Sequence, residues 1–287
     1  MERILSREAQ TYTGDGSPGQ GFSFSDTEFA RVRGLIYRKA GIALAPHKKD
    51  MVYSRLARRL RALGLSSFTE YLKLVEAAGE PELEAFINAL TTNLTSFFRE
   101  PHHFKLLGER LARQPAGRAV TIWSCGCSTG QEPYSIAMAA RQALGEETPL
   151  RILATDIDTT VLARARQGVY PLDQLQKVPA GLLRRFFLKG AGRQEGLGRV
   201  KDELKRLVSF ERVNLQSESW PIPERFDYIF CRNVMIYFDR ETQHGILQRL
   251  ASRLKPEGLL FVGHSESLHG SQTLFKSCGN TAYTLRK

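Results

Sequence analysis

The sequence predicts an α/β fold: an open parallel sheet preceded by an all-helical unit and carrying a small inserted β-unit. Three observations predict it. Apolar residues recur at helical spacing over residues 25–92. From about residue 118, short β-branched runs alternate with helical segments of about 10–15 residues, which is the pattern of parallel βαβ units. A glycine-rich stretch, GAGRQEGLG, interrupts that alternation between Phe187 and Phe210.

Residues 1–24, which include YTGDGSPGQG, are rich in Gly, Ser and Thr and read as a flexible tail. Ser25 and Glu28 fit a capping box, and Phe29, Val32 and Ile36 follow at helical spacing. Gly41 and Gly64 are helix stops, and Val52, Leu56, Leu60 and Leu63 mark the helix between them. A third helix is predicted over about 68–77. A fourth starts near Pro81 and carries Leu83, Phe86, Ile87 and Leu90. Residues 93–117 then read as an interdomain linker and helix. In the domain over 118–287, AVTIWS is a buried strand, followed by a helix from Glu132 to Leu144. RILATD is a second strand ending in Asp156, and a helix covers Thr159 to Arg166. FDYIFC and LLFVG are strands, with a helix over about 240–254 between them. RLVSF reads as a strand of the insert, placed at about 187–210.

The 287 residues fit about two domains. At 42% apolar and 25% charged, the composition excludes a disordered or collagen-like chain. Lys and Arg number 41 against 30 Asp and Glu, a net charge of +11 that favours an acidic partner. Cys125, Cys127, Cys231 and Cys278 form no C-x-x-C pair, so neither a zinc cluster nor a disulfide framework is expected. The start, MERILSREAQ, lacks the apolar run of a signal peptide. No stretch approaches about 20 apolar residues. A soluble, cytoplasmic protein is expected.

In open parallel sheets, ligands bind beyond the carboxyl ends of the strands. The loop after the first strand runs Cys125-Gly126-Cys127-Ser128-Thr129-Gly130-Gln131-Glu132 into a helix start. Two glycines allow close approach of a ligand, although a purely structural turn explains them equally well. The second strand ends in Asp156, whose carboxylate suits two ribose hydroxyls. A third strand end carries Cys231-Arg232-Asn233. A nucleoside-containing ligand fits. The motifs G-x-G-x-x-G and G-x-x-x-x-G-K-[ST] are both absent. An acidic loop without lysine suits a ligand without phosphates, such as S-adenosylmethionine. One competing motif exists. Gly126-Cys127-Ser128-Thr129-Gly130 matches G-x-S-x-G, the nucleophile elbow of serine hydrolases, with Asp227 or Asp239 and then His264 following in order. Against it, no earlier strands form the elbow's platform, and no HGGG-type segment is present.

Six blocks carry a more specific resemblance. TTNLTSFFREPHHF, WSCGCSTGQEPYSIAM, ATDIDTTVLARARQGVY, VNL, FDYIFCRNVMIYFD and LLFVGHSESL occur in this order. They resemble the CheR-type chemotaxis receptor methyltransferases over nearly the whole chain from residue 25. The resemblance implies a helical N-terminal domain, a Rossmann-like catalytic domain dependent on S-adenosylmethionine, and a β-subdomain. It implies methyl transfer to glutamate side chains of receptor signalling helices, forming methyl esters. A family member that binds cofactor or receptor without methylating it is the alternative. By resemblance, Asn93, Thr95 and Arg99 line the cofactor pocket. Glu132 and Asp156 contact the methionine and ribose parts, and Asn214 and Leu215 flank the adenine. Cys231 and Arg232, with Asn233 beside them, close the pocket. Arg99 and Tyr237 are the pair nearest the transferred methyl. A glutamate is ionised at neutral pH and needs no general base. Orientation and desolvation are the tasks left to the enzyme.

The basic balance gains a reading from the resemblance. Residues 31–61 hold ten Lys or Arg against one acid, Asp50. Arg55, Arg58 and Arg59 share one helix face and are expected to dock an acidic receptor helix rather than nucleic acid. In the insert, Gly190, Gly192, Gly196 and Arg199 resemble the loop that binds a tethering peptide at receptor C-termini, with Lys189 in place of arginine. An exposed strand edge there suits an extended peptide. His102 and His103 are adjacent, which points their side chains apart, so no metal is expected. Cys125 and Cys127 read as small residues in a tight loop. No heptad or dimer helix is visible, and a monomer without membrane insertion is expected.

Overall fold

The computed structural model describes residues 21–77, 80–222, 224–266, 268 and 273–286. They form two compact units that divide between Thr91 and Thr92.

The first unit contains α1 (Asp26–Ala40), α2 (Lys49–Leu63), α3 (Phe68–Ala77) and α4 (Glu80–Leu90). Ser25 caps α1 through the expected box. The Glu28 amide donates to Ser25 Oγ at 3.1 Å, and the Ser25 amide donates to the Glu28 carboxylate at 2.9 Å. Gly41 and Gly64 end α1 and α2 at φ 71° and 66°, a left-handed turn that glycine makes without steric cost. Val32, Ile36, Leu56, Leu60, Tyr71 and Phe86 are all buried in this unit.

Two expectations change here. Order begins before Ser25: Phe24 is fully buried, with its ring 4.2 Å from Phe68 and 6.1 Å from Phe29. A residue just before the cap that packs on the first turn is a hydrophobic staple. Helical periodicity does not reveal it, because Phe24 lies outside the helix. The expected tail over residues 1–20 lies outside the described residues. The second change concerns the basic face of α2. Arg55 Nη1 donates to the carbonyls of Leu90 at 3.1 Å and Thr91 at 2.6 Å. These belong to the carbonyls that the end of α4 leaves without helical partners. Arg59 is ion-paired with Glu82 through Nη2 at 2.5 Å. Only Arg58 of the three is exposed. Arg55 and Arg59 thus turn to α4, and Arg58 stays open.

The second unit is built on a seven-stranded sheet. Its strands are β1 (Val120–Cys125), β2 (Leu150–Asp156), β6 (Val208–Arg212), β7 (Phe226–Cys231), β8 (Leu254–Phe261), β9 (Phe275–Ser277) and β10 (Ala282–Leu285). Three shorter strands form a separate sheet: β3 (Val169–Pro171), β4 (Phe187–Lys189) and β5 (Leu197–Val200). The helices are α5 (His102–Ala112), α6 (Gln131–Leu144), α7 (Thr159–Gln167), α8 (Ala180–Phe186), α9 (Asp202–Lys205) and α10 (Arg240–Arg253). The main sheet is ordered β6-β2-β1-β7-β8-β10-β9. The first five strands are parallel, and β10 and β9 add an antiparallel edge. Strand order reverses around β1, where an open sheet leaves its ligand crevice. Alternate residues of each strand enter two different cores. Ile122, Tyr228 and Phe230 face one, and Trp123, Ile229 and Cys231 face the other. Burial on both faces explains why these strands read as continuous apolar runs.

The insert differs from its prediction. The small sheet has the order β3-β5-β4, so it starts at Val169 and ends at Val200. RLVSF does not belong to it: Val208–Arg212 pairs in parallel with β2 as the edge of the main sheet. Three-residue strands such as β3 and β4 are too short to show a period. In the turn between β4 and β5, a Cβ on Gly190 would lie 1.9 Å from the Gln194 carbonyl oxygen, so only glycine fits.

Replacing Arg55 with alanine removes the donor from the end of α4. We expect amide exchange at residues 88–91 to accelerate about tenfold, the equivalent of about 1.4 kcal/mol for lost hydrogen bonds to a charged group. Hydrogen exchange read by mass spectrometry on the full chain checks this.

Candidate active site

The crevice lies beyond the carboxyl ends of β1, β2 and β7. The loop after β1 reverses with Gly126 at φ 64°, Ser128 at φ 51° and Gly130 at φ 95°. A Cβ on Gly126 would sit 2.5 Å from Val234 Cγ2, and one on Gly130 would sit 2.9 Å from Ala165 Cβ. The glycines are therefore needed for packing as well as for the turn.

Asp156 closes this loop from beneath. Its Oδ2 accepts from the Ser128 amide at 2.8 Å, and its Oδ1 accepts from the Asp158 amide at 3.0 Å. Each oxygen keeps a lone pair for a further donor. Burial pushes the Asp156 carboxyl up to about 6, against partial opposition from those two amides. Asp158 is the N-cap of α7 and is almost fully buried. Its Oδ1 takes the amides of Thr160 and Val161, and its Oδ2 accepts from Asn93 Nδ2 at 2.9 Å.

Arg232, at the end of β7, joins two carboxylates. Its side chain is 1% exposed. Nη1 donates to Glu132 Oε2 at 3.0 Å, Nη2 lies 3.2 Å from Glu100 Oε2, and Nη2 also donates to the Arg99 carbonyl at 2.5 Å. Ser124 Oγ donates to the other oxygen of Glu132 at 2.7 Å. Burial raises the Glu132 carboxyl, and Arg232 opposes that rise. Burial also raises Glu100, but Arg232 and His264 outweigh it and bring that group to about 2.

The segment 92–100 is fastened to this floor. Ser128 Oγ donates to the Asn93 carbonyl at 3.1 Å, and the Phe98 amide donates to Ser135 Oγ at 3.0 Å. Arg99 Nη1 donates to the Leu94 carbonyl at 3.0 Å. The Tyr237 hydroxyl reaches the Thr92 carbonyl at 3.4 Å from the 3₁₀ turn Met235–Tyr237. The two residues expected nearest the methyl thus grip carbonyls on either side of Asn93. Thr95 is half-buried in the same segment. Asn214 follows β6, where its Oδ1 accepts from the Gln216 amide at 3.0 Å. The neighbouring Val213 amide donates to the Asp156 carbonyl at 3.0 Å. The side chains of Leu215 and Cys231 are buried in the core with Trp123 and Trp220.

Gly190, Gly192, Gly196 and Arg199 are not at this crevice but in the small sheet and its turn, where Gly192 and Gly196 take φ 58° and 81°. Arg199 is exposed on β5 and lies 3.8 Å from Asp202.

The serine-hydrolase arrangement is not assembled. The Ser128 hydroxyl is nearly buried and donates to a backbone carbonyl, while His264 is exposed beside Glu100 and Ser265. The two adjacent histidines do not point apart, because their rings lie 4.2 Å from one another. The chain enters α5 from a left-handed Glu100 at φ 57°. His103 Nε2 faces the Asn280 carbonyl at 2.8 Å, and Glu100 already faces the guanidinium of Arg232. Sequence reasoning missed Glu100, Asp158 and Glu266. Glu266 accepts from the amides of Asn233, Met235 and Gly263 and so shapes the loop after β7. Only Asp158 had a signal, as an N-cap aspartate two residues past the strand.

The family "CheR methyltransferase, SAM binding domain" matches residues 93–284, and its all-alpha domain matches residues 27–91. "Chemotaxis protein methyltransferase 2" of Pseudomonas aeruginosa is 51% identical over 92% of this chain and 95% of its own. "Chemotaxis protein methyltransferase" of Salmonella typhimurium is 51% identical over 93% of both chains, and that of Escherichia coli is 50% identical over 92% and 93%. The chain belongs to the CheR methyltransferase family, and its α/β unit is a domain that binds S-adenosylmethionine. The donor set fits that cofactor. Asp156 keeps accepting capacity on both carboxylate oxygens, and the glycine loop offers no lysine for a phosphate.

Two outcomes are expected. Asp156 must be ionised to accept two hydroxyls, so S-adenosylhomocysteine affinity should fall about tenfold at pH 5 relative to pH 7.5. Asp156→Asn should flatten that dependence in calorimetric titration. The sign for stability is opposite. A carboxyl whose folded value lies above its unfolded value of about 3.9 destabilises the empty fold above pH ~6, and that penalty vanishes at low pH. Removing Arg232 leaves two buried carboxylates without their cation. Arg232→Met should lower stability by about 3–5 kcal/mol. Urea unfolding followed by tryptophan fluorescence reads this unit alone, because Trp123 and Trp220 are the only tryptophans.

Proposed function

We propose that this protein transfers a methyl group from S-adenosylmethionine to glutamate side chains of chemotaxis receptors, forming methyl esters. The arrangement of Arg99 and Tyr237 carries the reading. Both side chains end on the segment 92–94, beside the loop and acids suited to the cofactor. Bound S-adenosylmethionine supplies an electrophilic methyl on a sulfonium. The incoming glutamate is already an anion, so the protein need not take a proton from it. Arg99 offers a planar fork that matches a carboxylate, and Tyr237 adds one hydroxyl donor. Their hold must stay modest, since strong binding of the ground-state anion would slow attack. Asn93, Thr95, Glu132, Asp156, Asn214 and Arg232 hold or shape the cofactor pocket, with backbone at Leu215 and Cys231.

The partner in this reading is an acidic receptor helix, and the excess of basic side chains supports it. Of the three arginines on α2, Arg58 is the one open to such a helix. A receptor's extended C-terminal segment would pair with the outer edge of β4, where Leu188 and Lys189 are exposed. No helix among the described residues is long and apolar enough to cross a membrane.

Labelled methyl transfer to a receptor cytoplasmic fragment tests the proposal. Counts should be released by alkali as methanol, which separates an ester from an N-methyl product. Arg99→Ala should lower kcat about 100-fold and Tyr237→Phe about tenfold, the range expected for lost orientation. Transfer that is stable to alkali would overturn glutamate as the acceptor.

A further inference from the structure

A second recess lies at the other end of the sheet. It has a volume of about 270 Å³ and is lined by Arg110, Arg113, Gln114, Arg118, Tyr228 and Glu257, among others. Tyr228 stands near the start of β7, whereas the crevice described above opens at its carboxyl end. The wall is formed where α5 stops. Backbone bonds Arg113 to Arg110, Gln114 to Leu111 and Arg118 to Pro115 wind the chain round the opening.

The recess has more donors than the protein uses. The guanidinium groups of Arg110 and Arg113 have no hydrogen-bond or ion-pair partner among the described residues. Gln114 Nε2 is buried and has no acceptor. A buried donor without an acceptor is costly, so its retention calls for a group that supplies one. Tyr228 is 8% exposed, and burial pushes its phenol up, which keeps the hydroxyl protonated as a donor. One of the two acids nearby is already met. Asp227 accepts from Arg118 and Lys255, each at 2.8 Å, and from the Thr121 amide at 2.9 Å. Four cations therefore stand against two carboxylates, Asp227 and Glu257.

We propose that this recess binds a small phosphate-bearing anion, of the size of a phosphate monoester or diphosphate. Arginine forks match phosphate oxygens in pairs, and an amide and a phenol add single donors. The volume lies just below the range of about 300–1,000 Å³ typical for drug-sized ligands, which suits a compact anion. The site is separate from methyl transfer and does not depend on that reading.

Calorimetric titration of the full chain with sodium pyrophosphate, at matched ionic strength, tests it. Saturable binding at one site per chain is expected. Arg110→Ala/Arg113→Ala should weaken it at least tenfold, and Gln114→Leu several-fold. The arginines are exposed, so the fold should survive, and unchanged S-adenosylhomocysteine affinity verifies this. Absence of saturable binding, or equal binding by the double variant, would overturn the proposal. So would retention on phosphatidylglycerol vesicles without pyrophosphate binding, because that result assigns the charge to a membrane surface.

Discussion

A single buried cation sets the form of the candidate active site. Arg232 enters from the end of β7, Glu132 from the first turn of α6, and Glu100 from the segment before α5. A guanidinium stays charged when buried, so its surroundings must supply negative charge and acceptors. Here they supply more than one charge: two carboxylates share one arginine. The strain falls unevenly, with Glu100 driven low and Glu132 raised. With Asp156 nearby, the crevice floor carries surplus negative charge and accepting oxygens. Such a floor favours a cationic nucleoside over a nucleotide, and this follows from the burial of Arg232 without reference to any relative.

The backbone shows a related constraint. Phe98, Glu100, Ser128 and Asn233 take φ between 50° and 57° without being glycine. Each left-handed residue costs roughly 1–2 kcal/mol, so each must be held by other bonds. Phe98 is held by Ser135, Ser128 by Asp156, and Asn233 by Glu266. In all three cases the strained residue's own amide is the donor. Strain of this kind gathers where geometry matters more than local stability.

The sequence exposes features that depend on near neighbours. The capping box at Ser25, the stops at Gly41 and Gly64, the buried strands and the glycine loop can all be read from a few adjacent residues. Asp156 is visible because a strand ends in it. The hidden features depend on distance along the chain. Glu266 binds the amide of a residue 33 positions away, Asn93 binds Asp158 across 65, and Arg232 reaches Arg99 across 133. No local pattern marks such a carboxylate as buried. The same limit explains the basic face of α2. Spacing identifies a shared face, but it does not say that Arg55 and Arg59 meet α4. The edge strand β6 reads as part of the insert for a related reason: a five-residue run shows its period but not its partner.

The helix α5 links the two ends of the sheet, and its anchoring bears on whether they communicate. At its start, His103 is fully buried, and its Nε2 faces a carbonyl that can only accept. That nitrogen therefore carries the proton. Burial and the neighbouring Arg232 hold the ring neutral by lowering its pKa to about 4. Across neutral pH the start of α5 is thus a fixed, uncharged joint against the turn before β10. Eleven residues of helix span about 16 Å. Screening at physiological salt acts over about 8 Å, so charge at Arg110 and Arg113 is weakly felt at Glu100 through solvent. The packed side of α5, at Phe104, Leu107 and Leu111, is buried in the same core as Tyr228 and Phe230 of β7, so helix and strand together join the two ends.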